Sequence, residues 1–123
     1  MRIISGLFKG KKIIEPKDLK TRPLKDLTKE SIFNIISHSN KFKININKAN
    51  ILDIFSGVGS FGLECLSRGA RYVTFIENYK NVLLILKKNL SNLKLTNNFK
   101  IYEKDAFELS TYKEINEKFD IIF

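Results

Sequence analysis

The sequence contains no tryptophan, one cysteine, one methionine, one histidine and two prolines in 123 residues. A single thiol, Cys65, cannot close an internal disulfide, which fits a reducing, cytoplasmic compartment. No metal-ligand cluster can be read from the chain. No apolar run approaches the roughly 20 residues needed to span a bilayer. The opening MRIISGLFKGKK lacks the apolar core and small-residue cleavage site of a secretory leader. Repeats, low-complexity stretches and long flexible linkers are absent, and no strongly basic amphipathic helix suggests a membrane surface.

Acidic residues are scarce in one region only. Residues 1–48 carry 12 basic against 4 acidic side chains, net +8, while residues 49–123 carry 10 against 9, net +1. This asymmetry points to an anionic partner, RNA or DNA, on the first third of the chain. A lysine- and asparagine-rich composition whose lysines are merely solvated gives the same numbers. With 43% hydrophobic residues the chain is globular, and its length supports one modest core.

The chain divides into a basic N-terminal part, 1–48, and an alternating part, 49–123. Residues 2–5 and 11–15 read as a β-hairpin around Phe8-Lys9-Gly10. A connector from Pro16 leads to Pro23, which opens a helix running to about Ser39 with Leu27, Ile32, Phe33, Ile35 and Ile36 as its apolar side. From Ala49 the expected order is a strand at Asn50–Phe55, a helix at Ser60–Arg68 stopped by Gly69 and a strand at Tyr72–Ile76. A helix at Asn78–Leu93, a strand at Phe99–Glu103, a short helix at Tyr112–Glu117 and a strand at Phe119–Phe123 complete it. Strands alternating with helices imply a parallel sheet, here of order 3-2-1-4. The last strand ends on the fully apolar Ile121-Ile122-Phe123, as strands inside parallel sheets do, so the chain is expected to be part of a longer protein.

Gly57-Val58-Gly59-Ser60-Phe61-Gly62 matches G-x-G-x-x-G between a strand and a helix. Its glycines permit a tight turn and close approach of a ligand to the backbone N–H groups. Nicotinamide enzymes share this motif. Asp53, four residues earlier in the strand, suits a ligand carrying an ammonium group, or N–H groups of the loop itself, and would repel a pyrophosphate. That favours S-adenosylmethionine over a dinucleotide. Glu77 closes the second strand 20 residues after Gly57, where an acid accepts from ribose hydroxyls and does not choose between the two. Asp105 follows the third strand, positioned for an adenine amino group, with the Ala106 N–H beside it for a ring nitrogen. Phe55, Ser56 and Asn78 flank these positions and join Asp53, Gly57, Gly59, Glu77, Asp105 and Ala106 as the candidate cofactor site. All of them fall at the carboxyl edge of the expected sheet, where open α/β proteins bind ligands.

The block Asp53-Ile54-Phe55-Ser56-Gly57-Val58-Gly59-Ser60-Phe61-Gly62-Leu63-Glu64, followed by Leu66-Ser67-Arg68-Gly69-Ala70, resembles the glycine-loop region of the RsmD family. Met1-Arg2-Ile3-Ile4-Ser5-Gly6, Gly10-Lys11-Lys12, Thr21-Arg22-Pro23 and Glu30-Ser31-Ile32-Phe33-Asn34-Ile35 resemble that family's hairpin, Arg-Pro turn and first helix. The resemblance spans the chain and implies a Rossmann-like class I methyltransferase fold; the pattern of elements itself predicts that the hairpin projects from one side of the sheet. It also implies S-adenosylmethionine as cofactor, a monomer, and methyl transfer to the N2 amine of a guanine in 16S rRNA or the small ribosomal subunit. Leu24 and Lys29 depart from the family, which has Thr and Arg there. An Asp/Asn-Pro-Pro-Tyr/Phe motif follows the fourth strand in the family; it supplies the catalytic acceptors, so no catalytic residue is expected within residues 1–123, and the fragment is expected to be inactive. Arg2, Lys9, Lys11 and Lys12, with Phe8 available for stacking, are candidate RNA contacts. Arg22 is a candidate for RNA, for the cofactor carboxylate or for a surface ion pair. His38 reads as solvated and Cys65 as core packing, while Glu64 stays open between a solvated face and a role. A nicotinamide oxidoreductase, a methyltransferase of another RNA or DNA amine, and a non-catalytic RNA-binding module are the competing readings.

Overall fold

The structure, a computed structural model, describes residues 1–18 and 24–123. The readings placed on Thr21, Arg22 and Pro23 lie outside the described residues. In chain order the elements are α1 (Asp26–His38), β1 (Asn50–Ile54), α2 (Ser60–Ser67), β2 (Tyr72–Ile76), α3 (Lys80–Asn92), β3 (Phe99–Tyr102), α4 (Leu109–Lys113) and β4 (Ile121–Ile122). The four strands form one sheet of order β3-β2-β1-β4, every pairing parallel. Strand side chains alternate between faces, and the two faces differ in weight. Ile51, Val73 and Phe75 point into the larger core with Leu63, Cys65, Leu86 and Leu90. Leu52, Ile76 and Tyr102 point into a smaller one, joined by Tyr112 of α4.

Several boundaries move for local reasons. β1 stops at Ile54 because Phe55 turns to a left-handed φ of 58°. α3 begins at Lys80 rather than Asn78, since the N–H groups of Asn78 and Tyr79 both donate to Glu77 Oε1, each at 2.9 Å. α4 lies upstream of the expected Tyr112–Glu117, because the Asp105 carbonyl accepts from Glu108 N–H at 3.2 Å and Thr111 Oγ1 at 2.7 Å and starts the turn early. Gly69, with φ 95°, ends α2 as expected.

The N-terminal hairpin is short and does not project. Its one β-bridge joins Arg2 and Lys12, and Ile3 N–H donates to the Lys11 carbonyl at 2.9 Å. Ile3 and Ile13 are buried in the larger core. Gly6 sits so close to α2 that a Cβ would lie 1.9 Å from the Ser67 carbonyl oxygen. Phe8, expected to be free for stacking, packs against the same core and donates its N–H to Ser67 Oγ at 2.9 Å.

What anchors the hairpin is Glu64. Its carboxylate is fully buried and accepts from Ile4 N–H (2.8 Å), Ser5 N–H (3.0 Å) and Arg68 Nε (2.8 Å). Lys29 is also fully buried, 3.7 Å from Glu64 Oε2 and 3.7 Å from Asp26 Oδ1, and donates to the Arg2 carbonyl at 2.7 Å. α1 therefore turns a lysine inward. Leu27 and Ile35, expected on its apolar side, are exposed, whereas Phe33 is buried and Ile32 and Ile36 partly so. The helix can do this because the polar head of Lys29 meets an acid and a carbonyl, which a leucine there would leave unpaired.

Candidate functional site

β1 ends at a loop whose geometry depends on glycine. Gly57 and Gly59 adopt left-handed φ values of 57° and 84°. Beside Gly57 a Cβ would find no atom nearer than the Phe55 carbonyl oxygen at 4.0 Å, so this side of the loop is open to a ligand. Gly62 has a different role: a Cβ there would lie 2.3 Å from the Phe75 ring, so the glycine lets α2 lie against β2. Ser56 Oγ is buried without a hydrogen-bond partner, which leaves a donor and an acceptor free at the loop.

The three acids have separate placements. Asp53 lies beneath the loop, 2% exposed, with Oδ2 accepting from Gly62 N–H at 3.0 Å. Desolvation pushes its carboxyl up to about 7, the Gly62 hydrogen bond opposes this, and the charge of Glu77 adds to it. An N–H group at the start of α2 is thus one partner of Asp53, as the loop reading expects. Glu77 spans from β2 to the loop, Oε2 accepting from Gly57 N–H at 2.9 Å while Oε1 takes Asn78 and Tyr79. A carboxylate offers about four acceptor positions, so one remains beyond these three. Asp105 makes a local turn, Oδ1 accepting from Phe107 N–H at 2.9 Å.

Between Glu77 and Asp105 opens a cleft of about 260 Å³ lined by Phe55, Ile76, Glu77, Asn78, Lys104, Asp105, Ala106 and Phe107. It brings together five of the expected residues (Phe55, Glu77, Asn78, Asp105 and Ala106). Asp53, Ser56, Gly57 and Gly59 lie outside that lining and shape the loop at its side. Sequence reasoning missed Phe107, which is 84% exposed with its ring 5.2 Å from that of Phe55. An aromatic two residues after the acid of a strand-end turn was the available signal. Arg2, Lys9, Lys11 and Lys12 are exposed. Arg2 and Lys9 line a cleft of about 430 Å³ between the hairpin and α1 whose other wall carries Asp26 and Glu30, so that surface is of mixed sign. His38 is exposed and Cys65 buried, as expected.

The family model described as conserved hypothetical protein 95 matches residues 1–123. Ribosomal RNA small subunit methyltransferase D of Haemophilus influenzae is 35% identical over the whole chain, and its counterpart in Buchnera aphidicola subsp. Baizongia pistaciae is 38% identical. This chain belongs to the RsmD family. It spans 61% and 59% of the length of those two relatives. Among solved structures, the yhhF protein of Escherichia coli superposes with a TM-score of 0.71 at 35% identity, over 86% of this chain and 53% of that one. The parallel sheet is thus the Rossmann-like sheet of the methyltransferases. Among the described residues no group of histidine, cysteine and acidic side chains could hold a metal ion, and no helix is long and apolar enough to cross a membrane.

Proposed function

We propose that this RsmD-family chain holds S-adenosylmethionine at the glycine loop and contributes to methylation of small-subunit ribosomal RNA, at the N2 amine of a guanine. The observation that carries the cofactor reading is the Glu77 carboxylate, braced by Gly57 N–H and still able to accept, facing Asp105 across a cleft with aromatic walls. Relatives bearing the name ribosomal RNA small subunit methyltransferase D support the RNA target.

When bound, S-adenosylmethionine supplies a sulfonium methyl group for in-line displacement. Glu77 would accept from a ribose hydroxyl with its remaining lone pair, and Phe55 and Phe107 would cover the flat face of an adenine. Asp105 and the Ala106 N–H would read the adenine edge. The free Ser56 Oγ and the open side of Gly57 would receive the amino-acid tail. Asp53, in this reading, shapes the loop through Gly62 and does not touch the ligand. Arg2, Lys9, Lys11 and Lys12 would contact phosphates, positioning the RNA without reading its sequence. Guanine N2 is a poor nucleophile and needs acceptors on its N–H groups. We assign that task to no residue of 1–123, so the chain alone should bind without turnover.

Calorimetry with S-adenosylhomocysteine and, separately, NAD tests the pocket; the first should bind and the second should not. Binding of NAD alone would favour the oxidoreductase. Radiolabelled methyl incorporation into small ribosomal subunits, by this chain beside the Haemophilus influenzae relative, tests the division of labour. Turnover by residues 1–123 alone would mean that an acid already present acts as the acceptor.

A further inference from the structure

Asn89 lies on α3 and is 3% exposed, yet it makes three hydrogen bonds to backbone far away in sequence. Its Oδ1 accepts from Ile14 N–H at 2.8 Å, and its Nδ2 donates to the Ile14 carbonyl at 3.2 Å and to the Val58 carbonyl at 3.1 Å. Ile14 lies on the second arm of the hairpin, and Val58 lies between Gly57 and Gly59, both of left-handed φ. A second strap runs beside the first: Lys29 Nζ holds the Arg2 carbonyl at 2.7 Å and Ser60 Oγ at 3.4 Å. The loop is therefore gripped at Val58 and at Ser60, both times against backbone of the N-terminal hairpin. Two donors and an acceptor on one short side chain are what this junction requires, and an amide is the group that offers them.

We infer that Asn89 is a positioning residue for the cofactor loop, clipping the Val58 carbonyl to the hairpin backbone so that Gly57 and Gly59 present their ligand-facing side correctly. The assignment rests on the reading of that loop as the S-adenosyl site. A glycine-containing loop has many backbone conformations to lose, so an external tether that removes them before binding improves affinity by preorganisation. The same tether makes the basic hairpin part of what shapes the cleft.

Two variants test this. Asn89→Leu removes all three bonds, and Asn89→Asp keeps an acceptor for Ile14 N–H but has no donor for Val58. In both, amide hydrogen exchange at Gly59, whose N–H is held by the Ser56 carbonyl at 2.8 Å, should accelerate about tenfold. The amides of β1 and β2 should keep their protection. S-adenosylhomocysteine should bind about tenfold more weakly to each variant than to the wild type. A purely structural Asn89 would instead speed exchange across the sheet and the loop together and leave the dissociation constant unchanged, and that result overturns the inference. Unaltered loop exchange in Asn89→Asp overturns it too, even if Asn89→Leu fails to fold. If the wild type binds no S-adenosylhomocysteine, the proposed function fails on that ground, and the exchange measurement still decides whether Asn89 positions the loop.

Discussion

Two buried carboxylates, Asp53 and Glu64, lie on either side of the glycine loop and are stabilised in opposite ways. Asp53 has a single backbone N–H and no cation, and desolvation raises its carboxyl to about 7. Glu64, fully buried, has two backbone N–H groups, an arginine and a nearby lysine. Burial of a charge is tolerable when donors and cations replace water and costly when they do not. The carboxylate beneath the glycine loop is thus the one left easy to protonate, and that of α2 is locked into a network that joins hairpin, α1 and α2.

The largest expected effect comes from breaking the locked side. Glu64→Leu strands the buried Lys29 and frees Ile4 and Ser5 N–H, so urea unfolding should show a loss of about 3–5 kcal/mol. A loss below about 1 kcal/mol would mean that water already solvates the cluster.

The other carboxylate should respond with the opposite sign. Folding takes up a proton at Asp53 between the unfolded value of 3.8 and the folded value of about 7, so stability falls as pH rises through that window and levels off above it. Asp53→Asn, which keeps an acceptor for Gly62, should be more stable than the wild type at pH 8, by up to about 4 kcal/mol if the whole shift is recovered. At pH 4 the two should nearly coincide. Thermal unfolding across that range measures both, and a wild-type curve rising from pH 4 to pH 7 would contradict the assignment.

Glu77→Ala sits between these extremes because its carboxylate braces a loop instead of a core. S-adenosylhomocysteine binding should weaken by roughly 1–3 kcal/mol in calorimetry. Smallest per residue is the surface charge. Lys11→Ala should reduce RNA affinity modestly and lower the steepness of its salt dependence by about one counterion. A filter-binding salt series reads this, and an unchanged slope would place Lys11 off the RNA.

The glycine loop, its three strand-end acids and the sheet order were all legible from the sequence, because each depends on local rules: alternation, left-handed turns, and acids at strand ends. Even there Asp105 and Phe107 met only through a turn three residues long, and α4 shifted because one carbonyl captured Thr111. The hairpin was legible as a hairpin, but where it docks was not. Glu64 was an even choice between a solvated face and a role, since a charge is expected outside until its partner is known. Glu64 and Lys29 lie 35 residues apart, and the hairpin backbone they hold is about 60 residues from Glu64 and 27 from Lys29. Asn89 belongs to the same class: nothing near it in the chain calls for an amide, and only the fold brings Ile14 and Val58 within its reach. Local backbone chemistry determined the glycine loop. Long-range pairing of buried polar groups, which only the assembled fold creates, decided how that loop is held.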